Sequence, residues 1–312
     1  MDSNLAAIDL GTNSCRLLIA DRNGKELFKS AVPTRLGEGM SKNNCFTDEA
    51  IARGIDCLCM FKMYMDEHNV QKYRAVATAA CRMADNGAEF VRKVKQQANI
   101  DLEVIDGYEE ARLNLLGAMA NVKDENVKYV VVYDLGGGST EITLATKEIK
   151  PKILHTVSIP WGARNSSEKF NLNDYDEIKA GKLAAEIHKY AKRFATDAEL
   201  DKYRDRVCFV ATSSTPLRLT HIVNEWTPYE RTKADGVIVK VKDFDRAIEH
   251  VQKMNFDERL EYPCIGQSRA EIFNAACVIF SQIYRDLGAD QIIASLKSAV
   301  DGIIMEFKNG AD

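Results

Sequence analysis

Two short segments of the chain put an aspartate, a glycine turn and a serine hydroxyl side by side: Asp9-Leu-Gly-Thr-Asn-Ser14 and Asp134-Leu-Gly-Gly-Gly-Ser139. That set of groups suits an anion. Glycine permits a tight turn and lets backbone N–H groups approach a ligand with no Cβ in the way. The serine adds a donor at the same point, and the aspartate can hold a divalent cation, directly or through water, that neutralises phosphate oxygens. A single glycine-rich turn would mean little, since such turns are common in hairpins. Here the flanks match as well. Ala7-Ile-Asp9 and Val132-Tyr-Asp134 enter the turns as β-rich runs, and Arg16-Leu-Leu-Ile-Ala20 and Glu141-Ile-Thr-Leu-Ala145 leave them. The copies lie 125 residues apart, a spacing too long for a solenoid repeat and suited to duplicated domains.

The elements that must carry these turns read as strands alternating with helices, the pattern of an α/β fold. Strands are predicted over Glu26 to Thr34, Arg74 to Thr78, Leu102 to Ile105, Ile153 to Ile159, Val207 to Ala211 and Gln291 to Ala294. Helices are predicted over Thr47 to His68 with Thr47 as N-cap, Ala88 to Ala98, Tyr108 to Asn121, Asp174 to Ala195 and Arg269 to Leu287. The polar run Asn121-Val-Lys-Asp-Glu-Asn126 marks the domain boundary. It gives one domain over 1–124, completed by about 300–312, and a second over 125–299.

With 312 residues the chain suffices for two cores, and 46% hydrophobic with 28% charged residues is an ordinary globular balance. A net charge of −4 argues against broad nucleic-acid binding, which needs a basic face. No apolar run reaches the ~18 residues that cross a bilayer, and the start does not read as a signal peptide. No membrane association and a cytoplasmic location are therefore expected. Eight scattered cysteines and five separated histidines form no zinc spacing and read as reduced core thiols.

Paired Asp-Leu-Gly hairpins, one per domain, resemble the phosphate loops of the actin, heat-shock chaperone and sugar-kinase superfamily. The resemblance narrows to the exopolyphosphatase/guanosine pentaphosphate phosphohydrolase (Ppx/GppA) family through four landmarks in order. These are Asp9-Leu-Gly-Thr-Asn-Ser-Cys-Arg16, Ala77-Thr-Ala-Ala-Cys-Arg82-Met-Ala-Asp-Asn86, Gly107-Tyr-Glu-Glu110-Ala-Arg112 and Asp134-Leu-Gly-Gly-Gly-Ser-Thr-Glu141. They span about the first 170 residues and include Arg35-Leu-Gly-Glu-Gly39. The resemblance implies two actin-like (ribonuclease H-like) domains with an interdomain cleft. It also implies a cytoplasmic homodimer acting on inorganic polyphosphate with Mg²⁺, or Mn²⁺ in its place. Glu110 resembles the carboxylate that activates the attacking water, a role that suits a carboxylate at a helix start. Arg82 resembles the guanidinium that neutralises the transferred group. Glu141 would assist with metal or water, Asp9 and Asp134 would lie on the metal side, and Thr12, Asn13, Ser14, Arg35, Gly137, Gly138 and Ser139 would hold phosphoryl oxygens. Glu109 would point elsewhere and serve the helix dipole.

The chain departs from the family pattern at two places. Ala211-Thr-Ser-Ser-Thr-Pro216 stands where the family has a glycine-rich turn, and Val300 stands where it has an arginine. Both weaken nucleotide recognition more than phosphate chemistry, so inorganic polyphosphate is expected ahead of guanosine pentaphosphate. The extra C-terminal helical domain of longer members is absent from these 312 residues. An ATP-dependent kinase of the same superfamily and a silent phosphate-chain sensor are the competing classes. The kinase would need an acceptor hydroxyl beside an aspartate base, and the intact Glu110 and Arg82 argue against the sensor.

Overall fold

A computed structural model describes residues 4–148, 151–308 and 310. The chain forms two compact units, one taking everything up to Gly117 and again from Ala299 onward, the other Ala118–Ser298.

The first unit is built on β1 (Asn4–Leu10), β2 (Cys15–Ala20), β3 (Glu26–Val32), α1 (Met40–Asn43), α2 (Asp48–Glu67), β4 (Val70–Ala77), α3 (Ala79–Met83), α4 (Gly87–Ala98), β5 (Leu102–Val104) and α5 (Gly107–Ala118). Its sheet runs β3-β2-β1-β4-β5. The hairpin strands pair antiparallel, while β4 joins β1 and β5 joins β4 in parallel. Strand β1 is almost wholly apolar because it is covered on both faces. Its side chains alternate between two cores, as a period of two requires. Ala6, Ile8 and Leu10 meet Leu58, Phe61 and Phe90 on one side, while Leu5 and Ala7 meet Val300, Ile303 and Ile304 on the other. Helix α2 starts as its sequence dictates, with the Thr47 hydroxyl accepting from the Ala50 N–H at 3.2 Å.

The second unit comprises β6 (Tyr129–Leu135), β7 (Thr140–Thr146), β8 (Ile153–Ile159), α6 (Ala163–Phe170), α7 (Glu177–Asp197), β9 (Val207–Thr212), α8 (Ser214–Val223), β10 (Ile238–Lys240), α9 (Val241–Gln252), α10 (Phe256–Glu261), α11 (Phe273–Leu287) and β11 (Gln291–Ser295). Helix α12 (Ala299–Lys308) then returns to the first unit. The second sheet runs β10-β11-β9-β6-β7-β8. Helix α7 lays Leu183, Ile187, Ala191 and Phe194 into a core shared with Cys277, Phe280 and Tyr284 of α11. Helix α11 begins four residues later than the apolar pattern predicts. Before it, Arg269 and Ile272 donate into turns, to Gly266 and Arg269 respectively. Helices α1, α3, α6, α8, α9, α10 and α12 lie outside the helices expected from the sequence, as does the three-residue strand β10. Helices α6 and α9 start from Gly162 and Lys240, without a Ser, Thr, Asp or Asn to announce a helix, whereas α8 follows Ser213 held at a φ that favours glycine.

All eight cysteines are free thiols, five of them buried. Burial pushes the Cys81 thiol up to about 12, partly offset by Arg82, so it stays protonated rather than acting as a thiolate. Among the described residues no helix is long and apolar enough to cross a membrane.

Candidate active site

In the first unit the hairpin β1–β2 closes with the Gly11 N–H donating to the Ser14 carbonyl at 3.0 Å. Register sets Asp9 opposite Arg16. Arg16 Nη1 donates to Asp9 Oδ2 at 3.0 Å, with the Asp9 side chain nearly buried, so this aspartate carries its own counter-ion. Thr12 and Asn13 are buried. The loop after β3 folds over them: Arg35 N–H donates to Asn13 O at 3.1 Å and Gly37 N–H to Thr12 O at 2.9 Å. Gly37 is required here, since a Cβ would lie 2.2 Å from the Thr12 methyl. Arg35 itself holds a φ of 49°, in the left-handed region.

Glu110 lies in the first turn of α5, buried, and Arg82 reaches it from α3. Arg82 Nη1 donates to Glu110 Oε2 at 2.9 Å and to the Ile105 carbonyl at 2.8 Å. The carbonyl fixes the guanidinium, and the guanidinium fixes the carboxylate. Glu109 points elsewhere, as expected, and pairs with Arg112 at 2.7 Å and Arg74 at 2.9 Å. Desolvation pushes its carboxyl up, but hydrogen bonds and charge from Arg112 and then Arg74 outweigh that and hold it below the usual value.

In the second unit the hairpin β6–β7 closes in the same way, Gly136 N–H to Ser139 O at 3.0 Å. Asp134 now stands opposite Glu141, and both are buried. A carboxylate oxygen of each lies within 4.8 Å of the other. Each carboxylate is held from a neighbouring strand. The Thr212 hydroxyl donates to Asp134 Oδ1 at 2.7 Å, and the Ser158 hydroxyl to Glu141 Oε1 at 2.8 Å. Two buried carboxylates facing each other repel, and such a pair of hard oxygen donors suits a hard divalent cation. The donor set therefore fits a divalent cation.

Helix α6 braces this second turn. The Ala163 and Arg164 N–H groups donate to the Gly136 and Gly137 carbonyls at 2.9 and 2.8 Å, and Asn165 Nδ2 donates to the Gly138 carbonyl at 2.9 Å. With the carbonyls turned to the helix, the Gly137 and Gly138 N–H groups donate to no backbone carbonyl among the described residues. A Cβ on Gly162 would lie 2.5 Å from Gly137 C and 2.6 Å from Gly138 N, so glycine alone fits beneath the turn. The structure thus brings Arg82 to Glu110 in one unit, and Asp134, Gly137, Gly138, Ser139 and Glu141 together in the other. It adds Arg16, Ser158, Gly162 and Thr212, whose roles sequence reasoning missed. Only Arg16 carried a signal, by standing where the second copy has Glu141.

Both departures have physical consequences. Ser213 takes φ 98° and ψ 179°, a conformation that favours glycine, so the serine carries backbone strain where the family pattern has glycine. Val300 is fully buried in the apolar core of the first unit, packed with Leu5, Ala7 and Leu18.

Two α/β units, each built on a mixed sheet with an Asp-Leu-Gly hairpin at its centre, define the class as the actin-like two-domain fold. The chain belongs to the Ppx/GppA phosphatase family, whose profile matches residues 18–309. It is 28% identical over 323 residues to exopolyphosphatase 2 of Mycobacterium tuberculosis, covering 97% of this chain and 98% of that protein. It is 27% identical over 315 residues to the bifunctional 3-dehydroquinate synthase/phosphatase of Fusobacterium nucleatum, covering 96% of this chain but only 46% of that longer protein. Among solved structures, an exopolyphosphatase-like protein superposes with a TM-score of 0.88 at 27% identity, covering 99% of this chain and 100% of that one.

Proposed function

We propose that this chain is an exopolyphosphatase that releases terminal orthophosphate from inorganic polyphosphate. The observation that carries the reading is the second hairpin, where Asp134 and Glu141 face each other beside a glycine turn braced from behind. A bound Mg²⁺ would supply charge neutralisation for the phosphate oxygens and the departing chain end. Phosphoryl transfer needs little covalent chemistry from the protein, so the residues position and neutralise. The Gly137 and Gly138 N–H groups and the Ser139 hydroxyl hold phosphoryl oxygens, joined by Thr12, Asn13, Ser14 and Arg35. Glu110 orients a water and accepts its proton as oxygen attacks the terminal phosphorus. The bridging P–O bond breaks and the shortened chain leaves. Arg82 holds Glu110 and offsets charge on the transferred group. Polyphosphate is favoured by the near full-length likeness to exopolyphosphatase 2 and by Val300, which buries an apolar side chain where the family pattern has a guanidinium. The reading takes the protein as a cytoplasmic homodimer.

Glu110→Gln decides the reading. It should lower phosphate release by at least about 10³-fold while polyphosphate still binds. Release near the wild-type rate would sink the assignment. The family also includes enzymes acting on guanosine pentaphosphate, and side-by-side release assays with both substrates, with and without Mg²⁺, separate the two.

A further inference from the structure

Glu110 lies in the first turn of α5, where a helix is least constrained because its opening N–H groups have no partner within the helix. The Asp106 carboxylate caps that turn, accepting from the Glu109 N–H at 2.8 Å. Neighbouring residues stand about 100° apart around a helix, so whatever fixes the direction of Glu109 also fixes that of Glu110. Glu109 is held from two sides. Arg112, three residues on, donates to both of its carboxylate oxygens from Nε and Nη2, each at 2.7 Å. Arg74 of β4 approaches the same carboxylate at 2.9 Å. Glu306 of α12 closes the ring, with Oε1 2.5 Å from Arg112 Nη2 and Oε2 3.1 Å from Arg74 Nη1. Arg74 is anchored in turn to Glu103 of β5 at 3.0 Å.

Helix α12 is seated on α5 without this ring. A Cβ on Gly302 would lie 2.0 Å from the Leu113 carbonyl oxygen, so the two backbones touch there. Leu113 packs with Val300, Ile303 and Ile304 in one apolar core. Ion pairs that water reaches contribute little stability, and the side chains of the ring are 13% to 31% exposed. Geometry is the better account of a glutamate shared by two arginines that both end on Glu109. Misplacing a catalytic group by about 1 Å costs on the order of 10²-fold in rate, far more than such pairs return in stability. We propose that Glu306 is a positioning residue for Glu110. Through Arg74 and Arg112 it holds Glu109, and so sets the rotation of α5 that aims the Glu110 carboxylate at the attacking water. The inference rests on the hydrolase reading above, in which Glu110 orients that water.

The test measures phosphate release from polyphosphate by the full chain, together with hydrogen exchange of the α5 amides in the substrate-free protein. Glu306→Gln keeps the shape of the side chain but sets an amide against one arginine. It should lower kcat about tenfold with KM unchanged, and speed exchange in the first turn of α5. Arg112→Lys keeps the charge and loses the fork, and should show the same pattern at about fivefold. It keeps the test valid if the Glu306 variant fails to fold. Ile303→Val loosens only the apolar seat of α12; it should lower the denaturant midpoint and leave kcat as it was. Wild-type kcat in both folded ring variants overturns the proposal. So does a KM that rises while kcat holds, or a loss of kcat in Ile303→Val as large as in Glu306→Gln. A wild-type chain that releases no phosphate overturns the hydrolase reading instead. Exchange then decides the clamp by itself: faster α5 exchange in Glu306→Gln keeps it, and unchanged exchange overturns it.

Discussion

The two Asp-Leu-Gly hairpins share a frame and differ in the residue across from the aspartate. Each closes with a glycine N–H to a serine carbonyl at 3.0 Å, and each pairs its aspartate with the residue seven positions on. In the first that residue is Arg16, 3.0 Å from Asp9; in the second it is Glu141, beside Asp134. The backbone cradle for an anion is kept in both copies, while the charge is assigned differently. One hairpin pairs its aspartate with a guanidinium, and the other sets two carboxylates side by side, a donor set that suits a divalent cation. They also differ in support. The first lies under the loop carrying Arg35 and Gly37, the second against the N-terminus of α6.

The largest test of this asymmetry removes half of the carboxylate pair. Glu141→Gln should cut phosphate release about 10³-fold, roughly 4 kcal/mol of barrier, and raise the Mg²⁺ concentration needed for half activity. An unchanged Mg²⁺ requirement would show that the pair does not hold the ion. Next comes the brace of the second turn. Gly162→Ala should cost about 3 kcal/mol of stability, because the new methyl meets backbone that cannot yield. A denaturant midpoint equal to wild type would refute that packing argument. Asp9→Asn removes the carboxylate charge 3.0 Å from Arg16 at a largely buried site and should cost about 2 kcal/mol, without altering the Mg²⁺ requirement. If it moved the metal dependence as Glu141→Gln does, the two hairpins would share the ion and the contrast between them would disappear. The smallest effect is expected beside the second hairpin. Ser213→Gly should raise stability by about 1 kcal/mol by relieving φ 98°. A lower melting temperature would mean that the 3.4 Å bond from Thr215 N–H to the Ser213 hydroxyl outweighs the strain.

Much of this was readable along the chain. The paired hairpins, the α/β alternation and helix α2 with its Thr47 cap all follow from local patterns, where period and capping chemistry act within a few residues. Helices α6 and α8 were not, although they flank the site. Helix α6 is an eight-residue segment whose start is set by Gly162 beneath a turn far away in sequence, and α8 starts from a serine in a conformation no serine would choose alone. Glu110 and Arg82 were named from motif order, but their ion pair was not, because residues 28 apart meet only when β5 brings α5 back beside α3.

By itself the sequence determined the hairpins, their duplication and the residue types available for phosphate, since a glycine turn and its flanking strands are local chemistry. Tertiary structure decided the use of each charge. Cross-strand register set Arg16 against Asp9 and Glu141 against Asp134. Parallel pairing of β9 with β6 brought Thr212 to Asp134, and antiparallel pairing of β8 with β7 brought Ser158 to Glu141. An aspartate's role is fixed by what lies a few ångströms from its oxygens, and that is a matter of packing.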